Sequence, residues 1–199
     1  MKKNPSRLSN KEIVLQTAAS LFLTRGYQLT SMDEIVAVSG VSKTNIYYHY
    51  KNKVELLLAI VDRFIDRYDR QISLVLSQDD WSIPDRLERM LRLFADQQEQ
   101  QDILGGCPFL TLYTQTAHDS PEVAAKIKAF FDRQLSGVER MLENAKSRGE
   151  LPADMPAAAA AALIVSSVEG ALFVAKASGR PQLLEELYLG LVSMLMLKL

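Results

Sequence analysis

The sequence predicts an all-α fold. Its apolar residues recur three and four positions apart in segment after segment, which is the spacing of one helical face. No sustained alternation of apolar and polar residues occurs, and no Asn-Gly or Asp-Gly turn joins two apolar runs, so β-hairpins are not expected. With 48% hydrophobic and 24% charged residues, the composition is that of a globular protein with a real core.

The first four helices are marked by their ends. Ser9, Ser42 and Asn52 are polar residues of the kind that cap a helix N-terminus, and Thr30-Ser31 precedes two acids in a first turn. Gly26 suits a left-handed helix end, and Gly40 suits a tight turn. We therefore expect helices over residues 10–26, 32–39, 43–50 and 53–77.

Five further helices are separated by segments rich in Gly, Pro and Ser. We expect them over residues 83–102, 108–118, 122–148, 156–177 and 181–198. The pattern predicts two domains: an N-terminal three-helix domain over residues 1–53, and a larger helical domain over residues 54–199.

Cysteine content and hydropathy indicate the compartment. Cys107 is the only cysteine and cannot form an internal disulfide, and no signal peptide pattern opens the chain. The longest apolar runs, 157–165 and 187–199, fall short of the roughly 18 to 20 residues that span a bilayer. We expect a cytoplasmic protein without a transmembrane helix or a membrane partner.

Charge is unevenly distributed. Residues 1–53 carry eight basic and three acidic side chains, a net charge of +5, whereas the whole chain has a net charge of −1. A basic head on an acidic body suits a nucleic-acid-binding module joined to a domain that does not bind phosphate, although a solvated basic face has the same composition.

Residues 32–50 have the dimensions of a helix-turn-helix, two short helices joined by the turn Ser39-Gly40-Val41. Ile46 and Tyr50 are four residues apart and can face inward with Val41. The outward positions of the second helix carry side chains that can donate to base edges or reach phosphates. The predicted DNA contacts are Thr30, Ser31, Ser42, Lys43, Thr44, Asn45, Tyr47, Tyr48, His49 and Lys53.

Each of these residues also has a plain structural alternative. Tyrosines at helical spacing, such as Tyr47 and Tyr48, are more often core residues than DNA contacts, and a single lysine is usually only solvated. The motif as a whole carries more weight than its members. Gly26-Tyr27, the segment 30–35 and the segment 39–53 together resemble the N-terminal domain of the TetR family of repressors. Tyr50 departs from that pattern, since the family usually has phenylalanine there.

The resemblance covers about 50 residues and implies the rest of the function. It implies a regulator that binds palindromic double-stranded operator DNA as a dimer and is released by a small-molecule effector bound in the larger domain. Lys43, Thr44 and Asn45 occupy the family's variable base-contacting positions. The long helix from Lys53 to Ser77 would then transmit effector binding to the DNA-binding domains.

Aromatic side chains on the helices of the larger domain are the candidates for an effector pocket. No acidic pair or arginine cluster stands out as a polar anchor, so the sequence favours an apolar or aromatic effector. The predicted ligand-binding residues are Phe94, Cys107, Phe109, Tyr113, Phe130 and Phe173, with Phe131 as a further candidate.

Cys107 has two interpretations. It directly precedes a helix that begins with Pro108, where the helix dipole is expected to lower a thiol pKa and favour reaction with electrophiles. A Gly-Cys-Pro start to this helix also resembles one TetR-type subgroup that includes electrophile-responsive repressors. The alternative is a buried, inert cysteine.

The last two helices, at about 156–198, have apolar residues around more than one face, such as Leu163, Phe173, Leu187 and Met196. Surplus apolar surface usually marks an interface, and the family pairs the corresponding helices in a homodimer. The alternative is that both helices are buried within one chain.

Other functional classes have less support. The sequence has no Gly-rich phosphate loop, metal-ligand cluster or nucleophile elbow, and its two histidines, His49 and His118, lie far apart. We therefore expect neither an enzyme nor a cofactor. The alternative of a protein-binding helical adaptor would leave the basic N-terminal domain unexplained. Sequence-specific DNA binding would distinguish a transcriptional regulator from such an adaptor.

Overall fold

The computed structural model describes residues 8–100 and 103–196. The expected all-α fold is confirmed over these residues, which contain helices and no strand. The helices are α1 Asn10–Thr24, α2 Met32–Ser39, α3 Lys43–His49, α4 Lys53–Leu76, α5 Ile83–Gln100, α6 Pro108–Thr116, α7 Pro121–Ser147, α8 Ala157–Ser178 and α9 Leu183–Met196.

The predicted caps explain where the short helices begin. The side chains of Ser9, Ser31, Ser42 and Asn52 each accept a hydrogen bond from a backbone N–H in the first turn of α1, α2, α3 and α4. Gly40 ends α2 in the left-handed conformation, with φ at 67°. Helix α1 ends slightly earlier than predicted, at Thr24, and Gly26 follows its cap residue with φ at 105°.

Helix boundaries otherwise differ from the sequence prediction by one or two residues. Helix α6 ends at Thr116, not His118, and α9 begins at Leu183, not Pro181. The predicted ends of the fifth and ninth helices, at Asp102 and Lys198, lie outside the described residues. The basic residues Lys2, Lys3 and Arg7 of the N-terminal segment lie outside them too.

Helices α1 to α3 form the head. Phe22 of α1, Ile35 of α2 and Ile46 of α3 are completely buried, so one residue from each helix contributes to a shared core. The first half of α4 packs against α1, where Arg63 forms an ion pair with Glu12. The head is therefore fixed to the start of the long helix.

The second half of α4 packs along α7. Asp69 accepts hydrogen bonds from the Arg133 guanidinium, at 2.8 and 3.1 Å, and from the amide of Gln134, at 2.9 Å. About two turns earlier on both helices, Lys126 donates to Asp62 at 2.7 Å. Helix α4 thus belongs to both the head and the body, which is the larger part of the chain formed by α4 to α9. The predicted domain boundary at residue 53 coincides with the first residue of α4.

Helices α8 and α9 have two apolar faces. One face of α8, including Ala161, Ile164 and Leu172, is buried against the body. Its other face leaves Leu163 and Phe173 nearly half exposed. By length and a mean hydropathy of 1.9, α8 could cross a bilayer, a property the shorter apolar runs in the sequence did not predict. Its packing against α7 and α9 shows that it is a core helix of the body.

Candidate DNA-binding surface and effector cavity

Helix α3 is anchored by the three residues predicted to face inward. Val41 is 6% exposed, Ile46 is fully buried and Tyr50 is 4% exposed, so the inward positions are confirmed. The Oη atom of Tyr50 is buried and has no hydrogen-bond partner in the described part of the chain. The ring thus fills the core as a phenylalanine would, and the hydroxyl makes no hydrogen bond to the described residues.

The opposite side of α3 faces solvent. Ser42, Lys43, Thr44 and Tyr48 are exposed, and Tyr48 is the most prominent, with 74% of its surface accessible. Its ring meets the ring of His49 edge to face, with 5.0 Å between the centroids. Asn45, Tyr47 and His49 are partly buried beside this face. The structure therefore brings together on one surface seven of the ten predicted DNA contacts.

Lys43 is held by the preceding helix. Its ammonium group donates to Oδ1 of Asp33 at 2.7 Å, and both side chains are exposed. This hydrogen bond to Asp33 raises the pKa of Lys43, so the group stays charged. The ion pair with Asp33 restrains Lys43 without burying it. A DNA base or phosphate would compete with Asp33 for the same ammonium donor.

Lys53 and Thr30 make contacts within the head that the sequence did not predict. The Lys53 ammonium donates to the carbonyl oxygens of Tyr27, at 2.9 Å, and Thr30, at 3.0 Å, and lies 4.2 Å from the centre of the Tyr27 ring. Burial lowers the pKa of Lys53. The Thr30 side chain is buried, and its hydroxyl donates to the carbonyl oxygen of Gly26. These two side chains hold the α1–α2 turn in place, whereas Ser31 is exposed and caps α2.

An aromatic cluster fills the centre of the body. The Phe109 ring from α6 stacks on Phe130 of α7 with 4.0 Å between centroids, and Tyr68 of α4 meets Phe109 edge to face at 5.2 Å. Phe94 of α5 stacks on Tyr68 at 5.6 Å. Rings from four different helices are thus in contact, so displacing one of them affects all four helices.

A small cavity of about 30 Å³ lies beside this cluster, between α4, α5, α7 and α8. It is lined by Ile72, Met90, Phe94, Phe130, Phe131, Gln134, Val138, Ile164, Val165, Val168 and Glu169. Typical ligand pockets measure roughly 300 to 1,000 Å³. A drug-sized molecule would therefore require the side chains around the cavity to move apart.

Of the six predicted ligand-binding residues, the cavity brings only Phe94 and Phe130 to its wall, together with the further candidate Phe131. Phe109 lies behind Phe130 in the stack. Tyr113 and Phe173 are 44% and 49% exposed and do not line this cavity, and Phe173 instead lines a separate, more open pocket of about 420 Å³. Their periodicity marked them as apolar positions, but it could not distinguish a cavity wall from the outer surface.

Cys107 and Glu169 form a buried polar pair next to the cavity. Cys107 is 1% exposed, and its thiol lies close enough to the Glu169 carboxyl group for the two to interact electrostatically. Burial and the nearby carboxylate raise the pKa of the thiol well above its usual value, which is opposite to the lowering expected from the helix dipole. Burial likewise raises the pKa of Glu169. Desolvation outweighs the dipole at this site.

Glu169 is a polar group that the sequence analysis missed. Its Oε2 atom is buried and has no hydrogen-bond partner among the described residues. The signal was present in the sequence, because Glu169 is the only charged residue between Asp154 and Lys176, in an otherwise apolar helix. The search for an acidic pair or an arginine cluster did not single out this lone acid.

Helix α6 joins this region to the head. At one end Cys107 caps the helix, and near the other end Gln115 accepts a hydrogen bond from the backbone N–H of Tyr27 at 2.6 Å. Just beyond the helix, Asp119 accepts a hydrogen bond from Gln28 at 3.0 Å. Helix α6 thus contacts the cavity region and the turn that Lys53 holds, two sites that the sequence could not connect.

Several large apolar side chains of α8 and α9 are exposed on the surface of the body. These side chains are Leu163, Phe173, Val174, Leu189, Met194 and Met196. Beside them, a groove of about 800 Å³ lies between the α7–α8 connection and the end of α9. Contiguous apolar surface of this kind typically marks an interface.

The described residues contain no group of three or more His, Cys, Asp or Glu side chains that could hold a metal ion.

Two protein families match this chain. Residues 14–60, which include α2 and α3, match the family described as bacterial regulatory proteins, tetR family. Residues 84–190, more than half of the chain, match the family described as Tetracyclin repressor-like, C-terminal domain. Both parts of the molecule therefore resemble the corresponding parts of one kind of regulator.

Individual proteins give the same result. The HTH-type transcriptional repressor ComR of Escherichia coli (strain K12) is 26% identical over 146 residues, 73% of this chain and 70% of ComR. The HTH-type transcriptional repressor BepR of Brucella suis biovar 1 is 26% identical over 172 residues, 81% of this chain and 78% of BepR. The crystal structure of a TetR transcriptional regulator from Chloroflexus aurantiacus J-10-FL superposes with a TM-score of 0.80 at 27% identity, covering 92% of each chain.

Proposed function

The chain belongs to the TetR family of transcriptional regulators, and we propose that it represses transcription by binding operator DNA through α3 until an effector enters the body. Regulators of this family bind operator DNA as dimers and respond to small molecules. The relatives named above are regulators and not enzymes. DNA binding places this protein in the cytoplasm.

The observation that carries the proposal is the division of α3 into two sides. Ile46 and Tyr50 fix the helix to the head, while Lys43, Thr44 and Tyr48 are exposed on the opposite side. A helix held in this way can enter the major groove with its N-terminal residues near the bases. Lys43 and Asn45 can donate to base edges, and Tyr47, Tyr48 and His49 can reach phosphates.

Dimerisation would use the exposed face of α8 and α9. Two copies of this face would form a four-helix bundle in which Leu163, Leu189 and Met194 become buried. Two heads joined in this way would bind half-sites one helical turn apart, at a separation of about 34 to 36 Å. This interface explains the apolar surface that a single chain leaves exposed.

Effector release would act through α6 and α4. A molecule that widens the cavity must move the rings of Phe94 and Phe130, and these rings contact Tyr68 of α4 and Phe109 of α6. Helix α6 holds the turn at Tyr27, so its displacement would tilt the head. An effector shifts the equilibrium only if it binds the tilted state more tightly than the DNA-bound state.

The test compares Lys43→Ala with Lys51→Ala on DNA from around the protein's own gene and on mutated versions of the bound site. Both variants remove one positive charge from the head. Lys43→Ala should reduce discrimination between matched and mutated sites, because a base contact is lost. Lys51 is exposed just after the end of α3, where its charge can attract phosphates but is not placed to contact bases, so Lys51→Ala should weaken binding to all sequences alike. Equal loss of discrimination in both variants would contradict the assignment of Lys43.

A further inference from the structure

The cavity in the body has one charged group in an otherwise apolar and amide wall. Glu169 is the only charged residue among those that line it, and its other walls include Phe94, Phe130 and Phe131. The single amide on the wall, Gln134, donates from Nε2 to Asp69, so this donor is already used in the contact between α4 and α7.

The carboxyl group of Glu169 is only partly satisfied. The Cys107 thiol lies near it, but Oε2 is buried without a partner in the described part of the chain. Among the described residues, no Lys or Arg side chain lines the cavity. A buried carboxylate without a compensating charge is costly, and a ligand that supplies a cationic donor would remove that cost.

The aromatic walls favour the same kind of ligand. The faces of phenylalanine rings attract cations as well as apolar groups. A ligand with a carboxylate would be repelled by Glu169, and a ligand without any donor would leave Oε2 unpartnered.

We propose that the cavity selects a cationic effector: an ammonium group donates to Oε2 of Glu169, and an aromatic or other apolar body of one or two rings packs against Phe94, Phe130 and Phe131. The inference rests on the proposed function, in which this cavity is the effector site. The small volume of the cavity requires the aromatic walls to separate as the rings enter, which is the movement that release from DNA needs.

Isothermal titration of the full-length protein tests this with three probes of matched shape: 1-naphthylmethylamine, 1-naphthalenemethanol and 1-naphthoate. The wild type should bind the amine at least about tenfold more tightly than the alcohol, since hydrogen bonds to charged groups are the stronger ones. The naphthoate should bind most weakly.

Glu169→Gln should lose the amine preference and bind the amine and the alcohol within about threefold of each other. Glu122→Gln is the control, because Glu122 is an exposed acid in the first turn of α7 and does not line the cavity. It should keep the wild-type preference. The absence of an amine preference in the wild type, or its persistence in Glu169→Gln, would overturn the proposal.

The thermal midpoint of Glu169→Gln and its DNA binding without probe show whether the variant is folded. Phe130→Leu, which trims the aromatic wall and keeps the acid, is a second variant and should weaken amine and alcohol alike. DNA binding by the wild type with no amine preference would refute the cationic effector alone. Failure of the wild type to bind any DNA site would refute the proposed function, whatever the probes show.

Discussion

Cys107 at the N-terminal end of α6 and Glu169 in the middle of α8 interact electrostatically, and the carboxyl group contributes to the raised pKa of the thiol. Burial raises the pKa of both groups. Cys107 lies at the start of α6, the helix that reaches the head, and Glu169 lines the cavity beside the aromatic cluster. The protonation and solvent accessibility of these two groups therefore depend on how the body is packed.

Cys107 should react slowly with thiol reagents in the native protein. At pH 7.5 the raised pKa keeps the thiol protonated, and only the thiolate is a good nucleophile. Labelling with 5,5′-dithiobis(2-nitrobenzoate) should be at least about a hundredfold slower than in urea-unfolded protein. Rapid native labelling would instead support the electrophile-sensor interpretation, and Cys107→Ser supplies the blank.

The stability of the protein should depend on pH through Glu169. Its folded pKa lies above the ordinary 4.5, so the folded state binds the proton more tightly than the unfolded state. Glu169 therefore contributes stability at low pH. This contribution is lost, and the free energy of unfolding falls, as pH rises from about 4.5 through the folded pKa.

The measurement is urea unfolding of wild type and Glu169→Gln at pH 5 and pH 8. Between the two pH values, the free energy of unfolding of Glu169→Gln should rise relative to that of the wild type, by about 1.4 kcal/mol for each unit of raised pKa. Glu122→Gln should run parallel to the wild type. A constant difference between wild type and Glu169→Gln across this range would show that the acid is not buried as described.

Lys53→Met should destabilise the head. The substitution removes the donors to the carbonyl oxygens of Tyr27 and Thr30 but keeps most of the side-chain volume. We expect a loss of about 1 kcal/mol in thermal or urea unfolding, the usual size for hydrogen bonds that are partly exposed. Lys51→Met, at an exposed position, is the matched control. Unchanged stability with weakened DNA binding would restore the role predicted from sequence, a direct phosphate contact.

Leu163→Glu should weaken the dimer. Leu163 lies on the exposed face of α8, and a charge placed in an apolar interface is costly. Sedimentation equilibrium should show a dissociation constant at least about a hundredfold higher than for the wild type. Leu74→Glu changes an equally apolar residue that is exposed on α4 and should leave the dimer intact. A wild-type monomer would contradict the proposed interface.

The sequence predicted the head better than the body, and the reason is physical. Caps such as Ser31 and Ser42, the turn at Gly40 and the inward positions of Ile46 and Tyr50 depend on neighbours a few residues away. Local patterns therefore specify them, and the outward face of α3 follows.

The cavity depends on contacts between distant segments. Cys107 meets Glu169 across 62 positions of sequence, and Tyr27 meets Gln115 across 88. Periodicity identified Phe94, Phe130, Tyr113 and Phe173 as apolar in the same way, yet only the first two reach the cavity wall. Lys53 shows another limit, since the sequence marked it as a basic residue beside the predicted DNA surface but not as a donor to the carbonyl oxygens of Tyr27 and Thr30.

The central claim is that the dimer recognises operator DNA through α3, and fluorescence anisotropy with labelled DNA from around the protein's own gene tests it most directly. We expect one preferred site that is bound by a dimer. The logarithm of the binding constant should fall steeply and linearly with the logarithm of the salt concentration between about 50 and 200 mM. Exchange of Tyr48 for Ala should weaken this complex without changing the dimer. Equally weak binding to every sequence, with no preferred site at any salt concentration, would contradict the account.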